Sequence, residues 1–358
     1  MSVPDSHTDS PVEATLNPER VAVLGAGSWG TALTISLARQ GHEVALWARR
    51  AEAAQQMRET RLNQPYLPGA TLPDSVLVTA DLAEAVRGRP LWVMATPAQA
   101  MRTLAESCQS FAHEGLILAS VAKGIEQETL LTTTQVLADV LAAQVPEAQM
   151  GVLYGPSHAE EVSAGQPTTL VAAAPSLDVT HHLQAVFMTQ SLRVYANRDV
   201  LGVEIGGSVK NVLAIAAGIC DGVGYGDNAK AALITRGIAE IRRLGLAMGA
   251  QADTFAGLSG MGDLIVTCMS QHSRNRHLGE QIGRGRTLRE VLDAMDMVAE
   301  GVPTTHAVHA LAARHQVEMP IVESVHRILF EAHRPADAVE ELMSRSAKHE
   351  GWLPDRFQ

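Results

Sequence analysis

One short segment, Gly25-Ala26-Gly27-Ser28-Trp29-Gly30, limits what this chain can fold into more than any other. A G-x-G-x-x-G run means little alone; here its context gives it meaning. It follows Arg20-Val-Ala-Val-Leu24, an apolar run that reads as a buried strand. It opens a helical pattern from Trp29 to Gln40 that stops at Gly41, and Glu43-Val-Ala-Leu-Trp47 then reads as a second strand. A strand–turn–helix–strand unit of this kind requires a parallel sheet. Gly25 permits the tight turn, Gly27 lets backbone approach a pyrophosphate, and Gly30 lets the helix close onto the strand. The helix N-terminus presents N–H groups and partial positive charge to the phosphates. The second strand ends at Ala48-Arg49-Arg50. NAD-preferring sites usually carry Asp or Glu there, whereas two guanidiniums suit the 2′-phosphate of NADP.

Further strands are expected at Val76–Thr79, Pro90–Ala95, Leu116–Val121, Met150–Leu153 and Thr168–Ala173, alternating with helices near 81–87, 98–112 and 129–144. From about Asp199 the texture changes to long helical patterns at 201–219, 228–249, 287–295, 303–315 and 320–332. The expected class is therefore an α/β, Rossmann-type parallel-sheet N-terminal domain over 20–198, followed by an all-α C-terminal domain over 199–345. A length of 358 residues and 46% hydrophobic content suit two domains with full cores. Residues 1–19, rich in Pro and acidic residues and without an apolar run, read as a disordered tail, and the last dozen as loosely held. A net charge of −11 argues against a nucleic-acid or anionic-membrane partner. The longest apolar stretch, Leu201–Cys220, contains Glu204, Gly206, Gly207 and Lys210, so it reads as a buried helix rather than a membrane span. Cys108, Cys220 and Cys268 have neither disulfide nor metal spacing and read as free buried thiols of a cytoplasmic protein.

Four other segments carry chemistry. Gly155-Pro156-Ser157-His158-Ala159 follows a strand, where open α/β sheets place their ligands. Lys123 stands just past another strand end. Lys210 is the one basic residue of its apolar helix and should lie over Gly206 and Gly207, whose missing side chains would leave room for a ligand. Desolvation and nearby cations would lower its pKa toward that of a general base. Ser273-Arg274-Asn275-Arg276, downstream of Gly260-Met261-Gly262-Asp263, places hydroxyl, guanidinium and amide donors in succession, suited to a phosphate. Met261 and Met269 read as core, and Glu300-Gly301 precedes a helical run.

Taken together, these blocks closely resemble bacterial NAD(P)-dependent glycerol-3-phosphate dehydrogenase. The resemblance runs from about residue 20 to 330. It includes Gly25–Leu33, Lys123-Gly-Ile-Glu126, Gly155-Pro-Ser157, Lys210-Asn-Val-Leu-Ala-Ile-Ala216, Asn228–Gly237, Thr254–Leu258, Gly262-Asp-Leu264, Ser273–Arg276 and Ala299-Glu-Gly301. It implies reversible reduction of dihydroxyacetone phosphate to sn-glycerol 3-phosphate for phospholipid synthesis, with NADP or NAD as cofactor. It makes Lys210 the catalytic proton donor or acceptor. It assigns Lys123, Asp263, Ser273, Arg274 and Asn275 to the substrate, joined by Gly155 and Ser157, with Asn211 and Thr267 lining the same pocket. Ser28, Trp29, Arg49, Arg50, Tyr66, Lys123, Ala159, Arg274, Val298 and Glu300 match cofactor positions, beside Gly25, Gly27 and Gly30.

His158 stands where the family commonly has an aromatic residue, Ser259 where it often has Ala, and the acidic tail lies outside the pattern. No metal is expected, the partner is a small phosphorylated triose, and a homodimer is left open. Two other readings compete. A β-hydroxyacid or sugar-acid dehydrogenase shares the architecture but has no need of a phosphate-gripping Ser273-Arg274-Asn275. A non-catalytic NADPH sensor needs no proton donor, yet Lys210 and Asp263 are both present.

Overall fold

The computed structural model describes residues 18–295 and 297–346, so the expected tail lies almost wholly outside the described residues, as does the loosely held C-terminal dozen. Among the described residues there are ten strands: β1 (Arg20–Leu24), β2 (Glu43–Trp47), β3 (Leu62–Asn63), β4 (Leu67–Thr71), β5 (Leu77–Thr79), β6 (Leu91–Met94), β7 (Ile117–Ser120), β8 (Met150–Tyr154), β9 (Thr168–Ala173) and β10 (Leu192–Asn197). Eight form one sheet in the order β10-β9-β8-β7-β6-β1-β2-β5, and β3 and β4 form a separate hairpin. β1 runs parallel to β2 and β6 in the register Val23 opposite Leu46 and Val93. Period-2 alternation buries β1 on both faces: Val21 and Val23 join the core on one side, Ala22 and Leu24 with Trp92 and Met94 the core on the other.

The sheet departs from the expected all-parallel order at one place, because β9 runs antiparallel to β8. The link between them holds only the five-residue helix Ala159–Ser163. At about 1.5 Å per residue that helix is shorter than either strand, and the chain turns straight back. β10 then pairs parallel with β9 across the helix Leu177–Phe187. β3, β4 and β10 were not expected from sequence. The hairpin carries Pro68 and Gly69, which strands disfavour, and β10 is an edge strand buried only at alternate residues.

Beyond β10 every described element is helical. The helix Val200–Val223 is its axis: each residue from Gly202 to Cys220 is buried. It is long and apolar enough to cross a membrane, but 89% of its most apolar window lies inside the fold. Asp199 caps it, accepting from the Gly202 N–H at 3.0 Å, the Gln251 N–H at 2.8 Å and the Thr254 hydroxyl at 2.6 Å.

The helix Arg274–Gly283 crosses this axis through glycines on both sides. A Cβ on Gly279 would fall onto the Ile215 carbonyl, one on Gly218 onto that of Arg276, and one on Gly283 would sit 2.5 Å from that of Ile219. Backbone touches backbone, so the depth of this crossing is set by missing side chains. It fixes where Ser273, Arg274 and Asn275 stand relative to Lys210. Gly279→Ala should therefore force the helices apart, costing roughly 1–3 kcal/mol as overpacking does. Thermal melting reads the loss; an unchanged melting temperature would show the crossing to be loose.

Candidate active site

The C-terminal ends of β1, β6, β7 and β8 open together onto a cleft of about 840 Å³ between the sheet and the helical region. At its sheet end, Gly25 has φ +131° and a Cβ there would stand 2.5 Å from the Ala95 carbonyl oxygen, so only glycine makes this turn. Nothing lies within 4 Å of a Cβ on Gly27, which leaves its backbone open to a ligand. Gly30 does not line the cleft: a Cβ there would meet the Gly25 carbonyl, which is the close packing its motif position implies. Gly27 caps the helix Ser28–Arg39 without a side-chain hydrogen bond, so its leading N–H groups stay available. Ser28 donates to the Tyr66 carbonyl at 2.5 Å, holding the β3–β4 hairpin over this end.

Arg49 and Arg50 are both exposed on the cleft wall, and neither forms an ion pair among the described residues. On the opposite wall Glu300 is held by the Ala98 N–H at 3.2 Å, while its second oxygen is buried with no partner; the Trp29 indole N–H is likewise unmatched. Buried polar atoms are rarely left so, and a polar ligand between these walls would satisfy them. Burial pushes the Glu300 carboxyl up to about 7, against the pull of the Ala98 N–H and Arg274. The residues present thus fit a dinucleotide.

The other end is built around Asp263, only 1% exposed. A π-helical turn, Leu258–Gly262, delivers it to the N-terminus of the helix Asp263–Met269, where a carboxylate is favoured. One oxygen accepts from the Lys210 ammonium and the other from Lys123 at 2.7 Å. Lys210 also donates to the Thr267 hydroxyl at 2.9 Å, and Lys123 to the Gly155 carbonyl at 2.8 Å. Burial is the main cause that drives Lys210 down to about 7; Asp263 opposes it and Lys123 reinforces it. Asn211 donates to the Lys123 carbonyl at 3.2 Å and accepts from Asn275 at 3.0 Å, and the Asn275 oxygen takes the Gly301 N–H at 2.9 Å.

These contacts revise several sequence readings. The space over Gly206 and Gly207 holds protein, not ligand: a Cβ on Gly206 would sit 2.8 Å from the Ser259 carbonyl oxygen, and one on Gly207 would strike the Tyr154 ring. Asn275 spends its amide bracing Asn211 and Gly301. Gly155 and Ala159 do not line the cleft; the first supplies a carbonyl to Lys123, the second packs in the sheet core. Met269 is 62% exposed, not core, because its short helix turns Ile265 and Met269 outward together. Ser273 is an N-cap, accepting from the Arg276 N–H at 3.2 Å, and Arg274 donates to the Val298 carbonyl at 3.0 Å. His272, which no motif singled out, lies tilted against His158 with ring centres 5.5 Å apart on the cleft wall.

A nucleotide-binding sheet facing a buried lysine–aspartate–lysine group defines a dinucleotide-dependent dehydrogenase. Family models described as the N-terminus and C-terminus of NAD-dependent glycerol-3-phosphate dehydrogenase match residues 20–180 and 199–340, and the chain belongs to that family. A Salinibacter ruber protein named as an NAD(P)+ glycerol-3-phosphate dehydrogenase is 60% identical over 94% of this chain and 99% of its own. One from Chlorobium phaeobacteroides is 52% identical over 92% and 99%. The crystal structure of glycerol-3-phosphate dehydrogenase from Coxiella burnetii superposes with a TM-score of 0.87 at 39% identity, covering 92% of this chain and 99% of the other.

The unpaired Arg49 and Arg50 give a direct expectation. Replacing both by Ala should raise KM for NADPH by about tenfold or more, the scale of losing one charge-assisted hydrogen bond, while KM for NADH changes little. Equal effects on both cofactors would remove the 2′-phosphate from the argument.

Proposed function

We propose that the protein catalyses the reversible reduction of dihydroxyacetone phosphate to sn-glycerol 3-phosphate with NADPH or NADH, supplying a phospholipid backbone. The observation that carries the reading is the pair of ammoniums on one buried carboxylate, at the far end of a cleft whose near end suits a dinucleotide.

When bound, the cofactor supplies the hydride. The chain's own residues do the rest. Arg274, whose guanidinium is lowered by burial, grips the substrate phosphate beside Ser273. Lys123 neutralises charge growing on the carbonyl oxygen, and Lys210 gives that oxygen its proton. In the oxidative direction neutral Lys210 takes the proton back. Asp263 holds both lysines in reach and Thr267 fixes the Lys210 rotamer. Asn211 and Asn275 hold the backbone of Lys123 and Gly301. Trp29, Tyr66, Val298 and Glu300 wall the cofactor end.

The reading divides the chain into a nucleotide-binding part, 20–198, and a helical substrate part, 199–345. It places the enzyme in the cytoplasm and gives it no nucleic-acid partner, and the net charge of −11 supports the latter; sedimentation would decide whether it works as a homodimer.

Oxidation of NADPH on adding dihydroxyacetone phosphate, but not hydroxyacids, tests the reaction. Lys210→Ala should leave NADPH binding nearly intact and lower kcat by roughly 10²–10⁴. A folded variant keeping more than about a tenth of the rate would move the role to Lys123. The pH dependence follows in sign. Reduction needs the protonated amine, so its kcat/KM should fall as pH rises through about 7; oxidation needs the neutral amine and should rise through the same range. Parallel profiles in the two directions would exclude Lys210 as the titrating group.

A further inference from the structure

Glu204 and Tyr154 belong to no motif and touch neither end of the cleft, yet both are fully buried polar side chains with every partner in place. Glu204 lies six residues before Lys210 on the axial helix. It receives four donors from one stretch of chain: the hydroxyls of Thr132 at 2.7 Å, Thr133 at 2.8 Å and Thr134 at 2.6 Å, and the Thr134 N–H at 2.8 Å. Burial pushes its carboxyl up, and these four contacts pull against that. It thereby binds the axial helix to the start of the helix Thr133–Leu141, next to β7.

Tyr154 closes the same gap from the other side. Its hydroxyl donates to the Ala122 carbonyl, the residue before Lys123, and lies 3.3 Å from the Thr133 oxygen. Thr133 in turn accepts from Ser120 at 2.7 Å, at the end of β7. The Tyr154 ring fills the space that Gly207 leaves open, and the Lys123 ammonium stands 5.9 Å from the ring centre. The helix bearing Lys210 is thus joined to the start of the helix Thr133–Leu141 by a carboxylate in a threonine cage, and to the loop bearing Lys123 by a phenol wedged on a glycine, beside the Asn211 hydrogen bond to the Lys123 carbonyl.

We propose that Tyr154 and Glu204 are positioning residues that set the separation of Lys123 from Lys210. The cage reaches the Lys123 loop through Thr133, which contacts Ser120 and the Tyr154 hydroxyl, and that hydroxyl ends on the Ala122 carbonyl beside Lys123. Lys210 is surrounded by Asp263, Lys123, the buried Cys268 thiol and the His158 ring, with His272 beyond it. Of these only Lys123 is carried by the loop that Tyr154 holds. Loosening that loop moves one ammonium away from another and raises the pH at which Lys210 loses its proton.

The proposal rests on Lys210 as the proton-transfer group, so the test has one arm that is independent of turnover. Nζ resonances of ¹⁵N-lysine-labelled full-length protein give the Lys210 titration directly in wild type and Tyr154→Phe. The variant should titrate about half a pH unit or more higher. The high-pH limb of dihydroxyacetone phosphate reduction should move with it, and kcat should fall about ten- to a hundredfold, as sub-ångström to ångström misplacement produces. Thr133→Val should act in the same direction and Thr133→Ser should restore the wild-type titration, which covers a Tyr154→Phe protein that fails to fold. Glu240→Gln is the control. That buried carboxylate accepts the Ile321 N–H at 2.9 Å and the Val322 N–H at 3.3 Å far from the cleft, so its loss should lower the melting temperature without moving the titration. A Tyr154→Phe or Thr133→Val protein that melts lower but titrates like wild type overturns the positioning role. A wild-type protein inactive on the triose phosphate overturns the reaction instead, and leaves the titration arm standing.

Discussion

The arrangement on which the rest depends is one carboxylate, Asp263, shared by two ammoniums in a site nearly closed to water. A lone buried ammonium loses its proton, and a single buried ion pair is neutral to an incoming anion. Two cations on one anion avoid both outcomes. With Lys210 protonated the group keeps an excess positive charge while each lysine retains a partner. On a chain of net charge −11 this local excess supplies the attraction that the global charge does not. It also divides the labour: Lys210, 5% exposed, is the more desolvated, and burial makes it the one whose proton is easily moved.

Such a group demands rigid supports, and the fold provides them from both regions. Asp263 arrives on a π-turn, Lys123 on the loop after β7 and Lys210 from the axial helix. The glycine crossing of Val200–Val223 with Arg274–Gly283 brings a third segment to the same place, so Ser273 and Arg274 line the cleft that holds the lysines. Glycine is costly inside a helix. Four of them at one crossing, Gly218, Gly222, Gly279 and Gly283, indicate that closeness of approach outweighs helix propensity here.

Much of this was legible in the sequence. β1, its glycine turn, the first helix and β2 follow from apolar periodicity and turn chemistry, and the long helices after Asp199 from the same periodicity. Strands that violate propensity or lie half-exposed at an edge, β3, β4 and β10, gave no such signal. The antiparallel step at β9 depends on linker length, which a strand-by-strand reading does not weigh. Within the site, residue types and family resemblance brought Lys210, Lys123, Asp263 and Arg274 into one list. Their mutual contacts were not readable, because they span 140 residues of chain between Lys123 and Asp263. The misreading of Gly206 and Gly207 has the same origin: a missing side chain announces close approach without saying whether ligand or protein approaches.

Tyr154 and Glu204 illustrate the limit most clearly. A glutamate in an apolar helix and a tyrosine ending a strand have no pattern that separates support from surface. Only the fold shows that the carboxylate meets three successive hydroxyls and the phenol a carbonyl beside Lys123. Buried polar groups on this scale cost stability unless every partner is met. Here each one is met by a residue of the other element, so the polar network ties helix to loop where an apolar contact would allow sliding. Asp263 keeps the reacting amine near its point of proton exchange, and the threonine cage keeps Asp263's two cations at a fixed spacing.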